Sequence, residues 1–135
     1  MADADHDLER ARARLARWAP HAGAPAAPGR YRYGTAGRAR EGTRVDYWVK
    51  VSGGRIEAVY FQVFGAPSAV AAAGWLAGRV RDMSPEQARA VSGLDICRAL
   101  ELGGERAGEA LVAEDALAAA LEGGDEVDRH VPRGG

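Results

Sequence analysis

The chain has 135 residues, a formal net charge of −1, 47% apolar residues and one cysteine. That length supports one domain with a modest core. The near-neutral balance offers no global field to nucleic acid or an anionic membrane, and one cysteine excludes an internal disulfide and a cysteine-rich metal site.

The N-terminal stretch predicts a short amphipathic helix. Leu8, Ala11, Leu15 and Trp18 recur at helical spacing, and Arg10, Arg12, Arg14 and Arg17 fill the other faces. Two readings of it stand: a helix docked through its Leu8/Leu15/Trp18 stripe, or one that meets a membrane surface or an acidic partner. Asp5, Asp7 and Glu9 count against the second. Ala19 to Arg30 carries three prolines and two glycines and reads as a linker. No apolar h-region opens the chain, Asp3, Asp5, Asp7 and Glu9 argue against a transit peptide, and no apolar run approaches membrane-spanning length. Cytoplasm is the expected location.

Three extended segments follow. Tyr31 to Arg38 is an edge-strand candidate. In Arg44 to Val51, Val45, Tyr47, Val49 and Val51 alternate with Asp46, Trp48 and Lys50, the period of a half-buried strand. Ser52-Gly53-Gly54 turns the chain. Arg55 to Phe64 is then expected to place Ile56, Ala58, Tyr60 and Gln62 on one face and Val59, Phe61 and Val63 on the other. A hairpin of this kind makes the sheet antiparallel.

Helices come next. Pro67 suits a first helical position, and Ser68 to Val80 is so rich in Ala and Gly that it must pack closely. Ser84-Pro85-Glu86-Gln87 signals a helix start, as does Ser92 with Asp95 ahead of Ile96, Cys97 and Leu100. Gly103-Gly104 breaks that helix, and Glu109 to Leu121 forms the last. Strands first and helices afterwards predict an α+β fold: a small antiparallel sheet of three strands with helices on one face. The expected division is a helix and Pro/Gly/Ala-rich linker over 1–30, a folded domain over 31–122 and a charged, disordered tail over 123–135.

The segment Val59-Tyr-Phe-Gln-Val-Phe-Gly65-Ala66-Pro-Ser-Ala-Val-Ala-Ala-Ala73 resembles the central motif of the IscU/NifU N-terminal family of iron–sulfur cluster assembly scaffolds. In that family a strand ends in phenylalanine, glycine and cysteine, and small residues open the next helix. The resemblance runs from Gly42 through Ser84 to Ala88 and ends in Leu111-Val-Ala-Glu114-Asp115-Ala116, similar to the family's signature in its last helix. It implies the α+β fold above and a set of ligand positions. The first cysteine and the aspartate that assists it match Glu41 and Thr43, on either side of Gly42. The second cysteine matches Ala66, and the final histidine–cysteine pair matches Gly108 and Glu109. The segment that a chaperone reads in the IscU branch corresponds to Leu102-Gly103-Gly104-Glu105-Arg106, without its prolines.

These substitutions remove the chemistry the family needs. Clusters are held by thiolates and occasionally imidazoles. Ala66 offers no donor atom, and Glu41 and Glu109 are hard oxygen ligands suited to Mg²⁺, Ca²⁺ or Mn²⁺. No bound cofactor is expected. His6, His21 and His130 lie in segments read as linker or tail. Cys97 reads as a core residue, with a regulatory or persulfide-carrying thiol as the alternative. Gly65, Ala66 and Ser68 still lead into a helix N-terminus, where unpaired N–H groups could cradle an anion unless Ser68 or water satisfies them. No nucleophile–base pair falls in the expected core, so no enzyme is expected. The resemblance implies a cluster-assembly relative that has lost its ligands and acts by binding proteins, with a cysteine desulfurase or another assembly factor as the partner. The alternatives are metal or sulfur handling through Cys97 or Glu41/Glu109, and anion binding at Gly65–Ser68.

Overall fold

The computed structural model describes residues 23–26 and 31–123. The expected N-terminal helix, the rest of the linker and the C-terminal tail lie outside them. A three-stranded antiparallel sheet has the order β1 (Arg32–Arg38), β2 (Thr43–Ser52), β3 (Arg55–Phe64). Four helices follow: α1 (Pro67–Val80), α2 (Pro85–Arg89), α3 (Gly93–Leu100) and α4 (Ala107–Glu122). This is the α+β architecture the element order predicts. The last helix starts earlier than Glu109, because a single 3-10 turn over Gly104–Arg106 leads straight into it.

The sheet supplies the bulk of the core and the helices supply closeness. Val45, Tyr47, Val49, Val59 and Phe61 project from one face into a layer of alanines: Ala71, Ala72 and Ala73 of α1, and Ala110, Ala113 and Ala116 of α4. Helix α4 covers β1 and β2, and α1 covers β3. Small helix faces let backbones approach, and Gly34 of β1 takes this furthest. A Cβ there would stand 2.6 Å from Ala116 O and from Ala119 C. Tyr47 is fully buried among apolar groups. Its hydroxyl donates to Ala73 O at 2.7 Å, so its one polar atom is satisfied. Burial pushes its pKa well above the ordinary value.

One expected strand face is corrected. Ile56 is fully buried together with Val59 and Phe61 and does not share a face with Ala58, Tyr60 and Gln62. The cause is a β-bulge: Lys50 pairs with Ala58 but Val51 pairs with Ile56, leaving Glu57 as an extra residue on β3. One extra residue flips the side-chain parity beyond it.

Both predicted helix starts carry complete capping boxes. Ser84 accepts from Gln87 N at 3.1 Å while Gln87 Oε1 accepts from Ser84 N at 3.0 Å. At α3, Asp95 Oδ2 accepts from Ser92 N at 2.9 Å and Asp95 N donates to Ser92 Oγ at 3.3 Å. The bond from the Ser92 backbone holds the Asp95 carboxyl below its ordinary pKa. Its folded value is depressed, so its stabilisation is complete above the unfolded pKa of about 3.9 and fades as pH falls through the folded value. Asp95→Asn should therefore lower stability at neutral pH, and the deficit should shrink below about pH 4. Urea melts of both proteins at neutral and acid pH check this. A deficit independent of pH would refute it.

Candidate functional site

The positions matched to cluster ligands lie around one end of the sheet. A 3-10 turn, Ala39–Glu41, closes on Gly42, which has φ +102° and donates its N–H to Ala39 O at 3.0 Å. That left-handed backbone favours glycine and starts β2 at Thr43. At the end of β3, a Cβ on Gly65 would lie 3.2 Å from Gly42 O and 3.6 Å from Thr43 Cα. The β3–α1 junction is thus seated directly on the start of β2.

Helix α1 begins at this junction. Ala66 is its N-cap, has no capping side chain, and its carbonyl accepts from Ala69 N at 2.9 Å and Val70 N at 3.2 Å. Ser68 does not cap the helix. Its hydroxyl donates across to Glu109 Oε1 at 2.6 Å. Glu109 lies in the first turn of α4, and Arg106 Nη1 approaches its other oxygen at 3.4 Å. The Glu109 side chain is only 15% exposed. A Ser68–Glu109–Arg106 chain therefore ties the starts of two helices together.

Thr43, Ala66 and Glu109 are brought together by these contacts: Thr43 through Gly65, and Ala66 through Ser68. Glu41 is exposed on the 3-10 turn, and Gly108 is open, with nothing within 4 Å of an added Cβ. Cys97 belongs to a different region, half-buried on α3 and packed against the core. His6, His21 and His130 lie outside the described residues. Among the described residues no group of three or more His, Cys, Asp or Glu could hold a metal ion. Ala66 has no donor atom and Glu109 is already hydrogen-bonded, so this donor set does not match the thiolates an iron–sulfur cluster requires. No helix among the described residues is long and apolar enough to cross a membrane.

The Ser68–Glu109 bond and its Arg106 neighbour are what sequence reading missed. Its one signal was the placement of Ser68 inside the first turn of α1, past the cap position.

The family model of the NifU-like N terminal domain matches residues 21–125. Solved structures share the fold. A hypothetical protein is 16% identical with a TM-score of 0.65, over 84% of this chain and 98% of its own. An iron–sulfur cluster assembly scaffold protein for the SUF system from Fervidobacterium islandicum AW-1 is 13% identical with a TM-score of 0.63, over 80% and 93%. The N-terminal part of a nitrogen-fixing NifU-like protein from Brucella abortus is 14% identical with a TM-score of 0.58, over 88% and 94%. At these identities the likeness is one of fold. A search of curated protein sequences finds no match.

Proposed function

The chain belongs to the NifU-like N-terminal domain family of iron–sulfur cluster assembly scaffolds, and from that premise we propose that it is a non-ligating accessory or regulatory protein-binding module of cluster assembly. One observation carries this reading: the ligand positions hold Glu41, Thr43, Ala66, Gly108 and Glu109, and Glu109 is engaged by Ser68 and Arg106. Thiolates hold clusters, while a hydrogen-bonded carboxylate beside an alanine offers a hard, occupied oxygen. Scaffolds of this family are non-catalytic, so what remains to such a chain is its surfaces. The partner by this reading is a cysteine desulfurase or another assembly factor. The half-buried packing of Cys97 favours a structural thiol over a sulfur carrier.

Anaerobic reconstitution with iron and sulfide tests the reading. The desalted protein should be colourless, and a stable visible absorption band would overturn it. A purified cysteine desulfurase should be captured equally by the wild type and by Cys97→Ala. Capture lost only in that variant would favour sulfur handling through the thiol.

A further inference from the structure

Helices α1 and α3 contribute the walls of an open groove of about 400 Å³. None of the positions matched to cluster ligands is among its described lining residues. Trp75 and Arg79 lie one turn apart on α1 and so share a face, and Asp95, Arg98 and Ala99 lie within about one turn of α3. Val91, just before α3, is 8% exposed and belongs to the core beneath. Trp75 is half-buried and packs against that core, so its remaining surface is open to the groove.

Charge in the groove is one-sided. Arg79 and Arg98 are both exposed, and neither has a hydrogen bond or salt bridge among the described residues. Other arginines of the domain are engaged: Arg44 by Asp46, Arg106 by Glu109, Arg55 by Asp82 O and Arg89 by Leu121 O. Asp95 also lines the groove, but its carboxylate is occupied. Its Oδ2 accepts from Ser92 N at 2.9 Å and from Ser92 Oγ at 3.2 Å. After those Ser92 bonds, Arg98 and Arg79 both help to hold Asp95 ionised, so the carboxylate lies close to both without a direct salt bridge to either. Each arginine stands in the last turn of its helix, where the dipole favours a cation. That accounts for a positive charge on each helix. It does not account for two charges that converge on one depression beside a half-exposed indole.

Shape and charge together select the ligand class. Small-molecule sites enclose most of their ligand. This groove is open and both its cations are exposed, which suits a segment of chain lying across it. Guanidinium forks match carboxylates with paired N–H donors, and a flat indole takes an apolar side chain. A compact dianion such as phosphate, drawn to either arginine, also meets the repulsion of Asp95. Single carboxylates at two positions of a peptide can each meet one fork.

We propose that the groove between α1 and α3 is the docking site of an acidic segment of a partner protein, with carboxylates on Arg79 and Arg98 and an apolar side chain against Trp75. This rests on the reading of the chain as a protein-binding module and gives the partner its chemistry.

A random heptapeptide library displayed on phage tests it, panned on the full-length protein and counter-panned on Arg79→Gln/Arg98→Gln. Both positions are exposed, and matching thermal melts verify that the variant is folded. Peptides retained by the wild type alone should carry acidic residues beside a leucine or an aromatic residue. A synthetic copy should shift the Trp75 indole N–H resonance and bind the variant about tenfold more weakly, on the order of what two exposed ion pairs supply. Arg79→Glu/Arg98→Glu should select basic peptides instead, and a selection left unchanged by this reversal would overturn the proposal. So would a library in which no peptide distinguishes wild type from the Gln variant, or one whose distinguishing peptides lack acidic residues. Inorganic phosphate that alone reproduces the Trp75 shift and displaces the peptide would assign the groove to a small anion and overturn the proposal as well. Failure of the protein-binding reading itself shows elsewhere, as a coloured protein after reconstitution with iron and sulfide.

Discussion

Gly34→Val is expected to cost about 3 kcal/mol or more, at the upper end of overpacking penalties, and to lower the melting midpoint by 10 °C or more, as about 4–8 °C per kcal/mol implies for a domain of this size. The neighbours of a Cβ at this position are backbone atoms of Ala120, Ala116 and Ala119, not the ends of flexible side chains. No rotamer change makes room for the new group. Either β1 or α4 must move, and α4 also packs on β2, α1 and α3. A shift of α4 would therefore loosen the alanine layer under Tyr47 and strain the Ser68–Glu109 bond at its start. The fitting control is Gly104→Ala, since an added Cβ there meets nothing within 4 Å. Thermal melts of the two variants decide the matter. A Gly34→Val midpoint within a few degrees of the control would show that α4 seats less tightly than its backbone contacts require.

Gly34 also marks where sequence reading reached its limit. The segment Tyr31 to Arg38 read as an edge strand, and β1 is one, at the margin of the sheet. Nothing local to Gly34 announced a helix backbone pressed against it, because the helix residues it meets, Ala116 to Ala120, lie more than eighty residues on. The legible features were local ones. Alternating Val45, Tyr47 and Val49 fixed β2, and Ser84 and Ser92 with their partners three residues on fixed two helix starts. The strand β3 was legible in extent but not in parity, since a bulge at Glu57 leaves no mark on a pattern of Ile, Ala and Val. Trp48 alternated with the buried residues and so read as outward-facing, yet it is buried, which a strand period does not encode. The candidate site divides the same way. Aligned motifs located Glu41, Thr43, Ala66, Gly108 and Glu109. The bond that engages Glu109 joins residues 41 apart and belongs to the tertiary structure alone.

The second large effect concerns function. The quadruple variant Glu41→Cys, Ala66→Cys, Gly108→His and Glu109→Cys should turn brown on anaerobic reconstitution with iron and sulfide, where the wild type stays colourless. The backbone around these positions is already drawn together: Gly65 sits on Gly42 and Thr43, and Ser68 of α1 reaches Glu109 of α4. The open space beside Gly108 admits a histidine without displacing backbone. A thiol at Ala66 would stand at the N-terminus of α1, where the helix dipole lowers a cysteine pKa and favours the thiolate that binds iron. Removing the Glu109 carboxylate forfeits its bonds to Ser68 and Arg106, a loss of about 1–3 kcal/mol. Circular dichroism should accordingly show a folded but less stable protein. A coloured quadruple variant would mean that ligand chemistry alone separates this chain from a working scaffold. A folded, colourless one would mean that the surrounding backbone has also departed from a cluster-binding geometry. In that case the Ser68–Glu109–Arg106 chain would belong to a backbone arrangement of its own, not to the filling of a vacated site.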